Sequence, residues 1–434
     1  MRVLYDITYA TRGVSGIPGD TRSLAKALSA ELDKNCDFLL FPKEFVRRRI
    51  HTNPDAPKAS ELLGAAIKIN PGRSILPGKV SRALLIHQAL SLSKKVSINE
   101  IGSLISENAL KNLAILGKNE KFPAKLKVAL LAQPSRFVRP RLLGNFVLKT
   151  KGYDIFIQQQ IDPISVSQGT LHVVRLHDVL PITNPEYFES IAITAFQSGL
   201  TKMLQNKEIV WVMDTEASAL EFKQLYGNHR KVYVVPGVVG SQFVEAPLLE
   251  KKKQNQILVV NTIEPRKNVR RVISAFKDIL KDGLIPADFK LVIIGSEGWQ
   301  EKELIEELRQ GNFGPSVIFH ERPSDSFVNS QFAKSRAVIS ASEAEGFGLP
   351  PLEGMLFGCF PVVSDIPQHK ETIGDLGFFF GQEETEIRSA IVAGVNASLN
   401  ASDTEVRAMR NHIQDNFSSE VIRKRWISLL NSLV

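Results

Sequence analysis

The chain is poor in cysteine and in long apolar runs, and each scarcity closes off a class of protein. Cys36 and Cys359 are its two cysteines, too few and too far apart for a disulfide framework or a cysteine metal site. A reducing compartment fits, so a cytoplasmic location is expected. No apolar stretch reaches the roughly 18 residues of a membrane-spanning helix. The opening MRVLYDITYATRG is a short β-branched and aromatic run broken at Asp6, not the extended apolar core of a signal peptide. It reads as a first buried strand.

What remains is an ordinary globular composition, 43% hydrophobic and 23% charged, which argues against a disordered or fibrous chain. At 434 residues the chain exceeds a single ordinary core, and two domains with a cleft between them are expected. The net charge of +8 is unevenly spread. Lys111 to Lys151 holds ten Lys/Arg against the single Glu120, a net +9 in one segment. Its basic residues alternate with apolar ones, as on a surface pressed against anionic headgroups; a solvated helical face is the equal alternative. Nucleic acid is not an expected partner, because no nucleic-acid-binding motif accompanies the charge.

Strand-like runs alternate with amphipathic helices in two series, the pattern of parallel α/β sheets. The first series comprises Arg2–Ile7, Asp37–Phe41, Tyr153–Gln158, Leu171–His177, Glu208–Met213 and Lys231–Val235. Between its second and third members lies a long basic insert, about 46–152, with helix-like stretches such as KVSRALLIHQALSLSKKV and ISENALKNLAILG. Glu250–Gln256, rich in lysine, reads as a hinge. The second series starts at Gln256–Ile263 and continues through Lys290–Gly295, Ser316–His320, Ala337–Ala341, Phe360–Ser364 and Phe378–Phe380. Apolar residues Val269, Val272, Ile273, Phe276 and Leu280 recur at helical spacing after the first of these strands, with Asn268 in the position of an N-cap. The expected organisation is an N-terminal domain 1–248, a C-terminal domain 249–418 and a final helix 419–434.

Chemistry concentrates in the second series. The strand ending at Ile263 delivers Arg266 and Lys267 to the mouth of the sheet, just before a helix N-terminus, where open parallel sheets bind ligands. Two cations beside free backbone N–H groups suit a diphosphate; from position alone, though, solvated loop residues are the stronger reading. After Ala337–Ala341 comes EAEGFGLPPLEGMLFGCFPVVSD. Its glycines allow close approach of backbone to ligand, and Pro350 and Pro351 suit a first helical turn. Glu345 at the helix entrance and Glu353 about one turn inside can face the same ligand, since carboxylates accept hydrogen bonds from vicinal hydroxyls.

These strings resemble the group 1 (family 4) retaining glycosyltransferases, among them bacterial polysaccharide mannosyltransferases. The resemblance is strongest over Gln256–Gly377 and extends to RLHDVLPITNPEYF and SGIPGDTRSLAKAL. It implies the GT-B fold, two Rossmann-like α/β domains facing a central cleft, with the final helix crossing back to the first domain. It implies that Arg266 and Lys267 neutralise the departing diphosphate, Glu345 holds donor-sugar hydroxyls and Glu353 the ribose. Gly346, Phe347, Gly348 and Leu349 form the donor loop, and His177 lines the sugar pocket. Asp178 is read as a structural partner of its loop. Gly13 and Gly16 match a loop that meets the diphosphate; Gly19 departs from the Arg that many relatives carry.

The implied activity is retaining transfer of a hexose from a nucleotide diphosphate sugar, with GDP-mannose preferred, to a glycan or lipid-linked acceptor in cell-surface polysaccharide synthesis. Asp-x-Asp does not occur in the chain, so no metal ligand and no cofactor is expected, and the two cations would do the metal's work. Glu345 is not expected to act as a covalent nucleophile. Contact with the inner face of a membrane through Lys111–Lys151 is a further expectation. Three other readings share the architecture: a nucleotide-sugar 2-epimerase, a glycan phosphorylase and a catalytically silent binding subunit. The first lacks a visible acid/base set, the second a pyridoxal-phosphate lysine environment. The third is disfavoured because Arg266, Lys267, Glu345 and Glu353 are all present.

Overall fold

A computed structural model describes residues 1–11, 17–40, 94–97, 125–128, 146–148, 150–159, 161–240 and 253–434. Its contacts divide the chain into two compact units. One comprises Met1–Leu176, Gly199–Val212 and Arg423–Val434; the other His177–Ser198 and Met213–Ile422. Gly13, Gly16, most of the insert 46–152 and most of the lysine-rich hinge lie outside the described residues.

The first unit is built on a sheet with β1 (Val3–Asp6), β2 (Cys36–Leu40), β3 (Lys94–Ser97), β4 (Lys125–Val128), β6 (Ile155–Gln158), β8 (Leu171–Arg175) and β9 (Val210–Met213) in the order β9-β8-β6-β1-β2-β4-β3. All neighbours are parallel except β3 and β4. A separate parallel pair joins β5 (Phe146–Leu148) to β7 (Ile164–Val166). The strands β3 and β4 correct the reading of the insert. Lys94–Ser97 ends a stretch with helical periodicity yet pairs as a strand, and Lys125–Val128 of the basic segment is its partner. Alternating Lys and apolar residues fit a strand's period of two, and pairing decided between the periods.

The core of β1, Val3 to Asp6, is buried on both faces, as expected of a parallel strand covered by helices. A charge pair sits inside this core. Arg175, 1% exposed, ends β8 and reaches Asp20 in the first turn of the helix Ile17–Leu32 through Nε–Oδ2 at 3.2 Å and Nη2–Oδ1 at 3.4 Å. Its guanidinium lies 5.3 Å from the Trp426 ring centre on the final helix Ser419–Leu433, within range of a cation–π attraction. The helix's apolar side, Ile422, Trp426, Leu429 and Leu430, is buried.

Besides β10 (Lys231–Val234), the second unit holds a sheet of β11 (Gln256–Ile263), β12 (Lys290–Glu297), β13 (Val317–Glu321), β14 (Ala337–Ser340), β15 (Phe360–Ser364) and β16 (Phe378–Phe380). Their order is β13-β12-β11-β14-β15-β16, all parallel. Counted from its first strand this is 3-2-1-4-5-6, the doubly wound order whose direction reverses between the first and fourth strands. Successive residues of β11 feed opposite faces. Ile257 and Val259 join the core under the helices Val269–Lys281 and Glu384–Leu399, while Leu258 joins the one under Leu349–Leu356 and Asp403–Phe417. Each fully buried Val, Leu or Ile contributes about 1.5–3 kcal/mol. Gly354 lets Leu349–Leu356 lie close on β14, since a Cβ there would stand 2.6 Å from Val338 Cγ1.

Removing Asp20 takes a charge partner from the buried Arg175, and breaking a buried pair costs about 3–5 kcal/mol. Asp20→Ala is therefore expected to lower unfolding free energy by that amount in denaturant titration. The double replacement Asp20→Leu with Arg175→Met is expected to cost less than Asp20→Ala alone.

Candidate functional site

The reversal of strand order in the second unit sets the place. The segments leaving the C-terminal ends of β11 and β14 diverge to opposite sides, opening a crevice at the edge of the sheet. Glu264–Asn268 leaves β11 and Ala341–Gly348 leaves β14, so the two sequence motifs arrive at one point. The backbones themselves are joined, Glu343 N–H donating to Arg266 O at 2.8 Å.

Glu345, 8% exposed, and Lys267, 7% exposed, form a buried ion pair: Lys267 Nζ donates to Glu345 Oε1. Arg266 Nη1 donates to the second oxygen, Oε2, at 3.1 Å and to Ala344 O at 2.8 Å. Its Nη2 reaches Glu264 Oε1 at 2.9 Å. Burial alone would raise the Glu345 carboxyl, but the charges of Lys267 and Arg266 outweigh it and hold the group well below the ordinary carboxylate range. Lys267 is pushed down, first by burial and also by Arg266, against the pull of Glu345. The cationic pair is thus positioned before any ligand arrives, with Glu345 as the clamp.

The donor-loop residues lie around this cluster. Gly346 packs on His177 and Asp178; a Cβ would meet His177 O at 2.8 Å. Its carbonyl accepts from Thr215 Oγ1 at 3.1 Å and Ser218 Oγ at 3.4 Å. Phe347 is buried against Gly237 and edge-on to Phe417. Gly348, at φ +80°, caps the helix Leu349–Leu356, whose first turn carries Pro350 and Pro351. Glu353 lies in that helix, half-buried. His177 Nδ1 lies 2.8 Å from Asp214 Oδ2, a carboxylate that orients the ring. Asp178 Oδ1 accepts from Leu180 N–H at 3.0 Å and steadies the turn. Burial is the first cause of its raised pKa.

The structure brings Arg266, Lys267, Glu345, Gly346 and His177 together and leaves Gly13 and Gly16 outside the described residues. It also corrects one detail. Asn268, at φ 50°, makes no side-chain cap; its amide instead donates to Glu343 Oε1 at 2.7 Å, and Glu343 Oε2 accepts from Tyr187 Oη. Several contributors lie outside the motifs read from the sequence: Asp214, Thr215 and Ser218 after β9, Glu371, whose oxygens accept from Glu216 and Ala217 N–H at 2.7 and 3.0 Å, and His369. Only the Asp-Thr pair at a strand's C-terminal end carried a usable signal. Among the described residues no group of three or more His, Cys, Asp or Glu could hold a metal ion, and no helix is long and apolar enough to cross a membrane.

A family model described as "Glycosyl transferases group 1" matches residues 241–413, the stretch that holds this cluster. The chain is 33% identical over 254 residues to the serotype-specific mannosyltransferase WbdA of Escherichia coli, covering 54% of this chain and 30% of that protein. It is 24% identical over 232 residues to the Escherichia coli O-antigen chain mannosyltransferase B, covering 50% of this chain and 59% of that one. The matches thus span less than two thirds of either relative. Among solved structures, sucrose-phosphate synthase from Thermosynechococcus elongatus superposes with a TM-score of 0.61 at 13% identity, covering 100% of this chain and 99% of that one. Anabaena Alr3699/HepE in complex with UDP and glucose gives 0.55 at 16% identity, covering 100% of both. At such identities the likeness concerns the fold, and it agrees with the implied pair of α/β domains. Residues 241–413 therefore match the group 1 glycosyltransferases, within a chain of the GT-B fold that resembles bacterial O-antigen mannosyltransferases over about half its length.

Proposed function

We propose that this chain transfers a hexose, with mannose preferred, from a nucleotide diphosphate sugar to a glycan or lipid-linked acceptor of a cell-surface polysaccharide, with retention at the anomeric carbon. The observation that carries the reading is the Lys267–Glu345–Arg266 cluster at the strand-order reversal of a group 1 glycosyltransferase domain. The mannosyl preference is supported by the names of the relatives.

In this reading Lys267 and Arg266 receive the diphosphate and stabilise the charge that grows on it as the sugar leaves, a task that needs no metal. Glu345 holds the two cations and offers its remaining lone pairs to sugar hydroxyls; Glu353 takes the ribose. No carboxylate attacks the anomeric carbon. Glu345 is already committed to two cations, which stabilises its charge and lowers its nucleophilicity. The acceptor hydroxyl attacks on the face from which the phosphate departs, and the phosphate takes its proton. His177, steadied by Asp214, lines the sugar side. We also propose peripheral contact with anionic lipid through Lys111–Lys151, on the charge pattern alone.

Incubation of the purified chain with GDP-mannose and other nucleotide sugars, each with a chelator present, is expected to show donor hydrolysis or transfer for one of them. Loss of all turnover on chelation would overturn metal independence, and no turnover of any donor would overturn the reading. Lys267→Ala is expected to lower kcat by about 10²–10³ or more, the usual loss when a group that meets transition-state charge is removed; near-normal turnover would remove Lys267 from the machinery.

Glu345 also ties stability to pH. Its folded pKa is depressed, so its contribution is fully present above the unfolded value of 4.5 and is lost as pH falls below it. In denaturant titrations between pH 7 and pH 3 the native chain is expected to lose stability steeply below about pH 4.5. Glu345→Gln is expected to be less stable at pH 7 and to show a flatter acid limb. Neutralising five of the ten Lys/Arg in Lys111–Lys151 is expected to weaken cosedimentation with anionic vesicles, and unchanged binding would refute the membrane contact.

A further inference from the structure

His369 belongs to none of the motifs that single out the site, yet it is fully buried, 0% exposed, in the short helix Pro367–Ile373 after β15. Its Nδ1 lies 3.0 Å from Ser364 O and 3.2 Å from Ser364 Oγ. A carbonyl oxygen only accepts, and the single hydroxyl hydrogen of Ser364 is given to Ser342 O. Nδ1 must therefore be the donor to both atoms, which assigns the proton to Nδ1 in the neutral ring. Burial lowers the pKa of this ring, more than the nearby Glu345 carboxylate raises it, and Lys267 adds to the lowering. The ring is neutral, and Nε2 presents a bare lone pair.

That lone pair has no hydrogen-bond partner among the described residues, although the atom is buried. A buried acceptor left unsatisfied is costly, and folded proteins keep few of them without a functional reason. The direction in which it points is informative. The Cδ2–Nε2 edge faces Gly348: a Cβ added to that glycine would stand 3.0 Å from Cδ2 and 3.2 Å from Nε2. Gly348 is the left-handed cap of the eight-residue helix Leu349–Leu356 and lies three residues from Glu345 in the same loop. Nε2 thus looks into the loop that carries the sugar-holding carboxylate. An acceptor lone pair repels phosphate oxygens, which are acceptors themselves, so this nitrogen calls for an O–H donor.

Resting on the proposed nucleotide-sugar chemistry, we infer that His369 Nε2 accepts a hydrogen bond from one hydroxyl of the donor sugar and makes His369 a determinant of which hexose is transferred. Ser364 and Ser342 hold the ring in the tautomer the contact requires, and Gly348 leaves the space for it.

The test uses the full chain, GDP-mannose and its four monodeoxy analogues at positions 2, 3, 4 and 6, with kcat and KM measured for each. His369→Phe keeps the ring's bulk and removes the acceptor; His369→Leu is the second variant should the larger ring disturb the fold, checked by thermal unfolding. The native chain is expected to use one deoxy analogue about tenfold or more less well than GDP-mannose, and the apolar variant to lose that discrimination at that one position while its relative use of the other three analogues stays as in the native chain. His369→Gln, which can present an oxygen near the Nε2 position, is expected to restore it in part. An equal loss with all five donors, or no loss with any, overturns the inference and leaves the glycosyltransferase reading intact. Absence of turnover with any nucleotide sugar by the native chain overturns both.

Discussion

The second unit is organised around one constraint: a carboxylate and two cations are held together out of water at the C-terminal edge of a parallel sheet. None of the three charges could stay there alone. Glu345 compensates Lys267 and Arg266, and Glu264 takes the other edge of the guanidinium. Breaking such a pair is far costlier than forming it is favourable, so the cluster serves position more than stability. It holds two cations in fixed positions, with less left to reorganise than solvated side chains would have.

Keeping that cluster buried requires backbone to come close to backbone, which is the work of the glycines. Gly346 fits against His177 O only because it has no Cβ. Gly348 turns the chain through a left-handed conformation into the helix Leu349–Leu356, and Gly354 lets that helix settle onto β14. The loop so formed is tied from outside its own segment, by Thr215 and Ser218 on the carbonyl of Gly346. The buried histidine beneath it is fixed by the two serines flanking its strand connections. Binding groups and their supports therefore come from separate parts of the chain.

Much of this was legible from residue patterns. The boundaries of β11, β15 and β16 coincide with the apolar runs that predict them, and for β15, buried along its whole length, the uninterrupted apolar signature is that of a strand covered on both faces. Arg266, Lys267 and Glu345 stood out through the string EAEGFGLPPLEG, since position at a strand end alone marks the two cations as ordinary loop residues. Lys94–Ser97 and Lys125–Val128 were not legible as a pair, since strand pairing depends on a partner distant in sequence. Asn268 keeps the N-cap position that local pattern predicts, but its side chain is drawn away from the helix by Glu343, 75 residues distant.

The sequence by itself determined the alternation of strands and helices in two series and the segments that hold Arg266, Lys267, Glu345 and Glu353, since each is written in local periodicity and turn chemistry. Only the tertiary structure decided that Glu345 clamps both cations, that Asp214 orients His177 and that His369 carries a bare acceptor. Those properties depend on burial and on the tautomer imposed by a neighbour, and neither exists until distant segments have excluded water together.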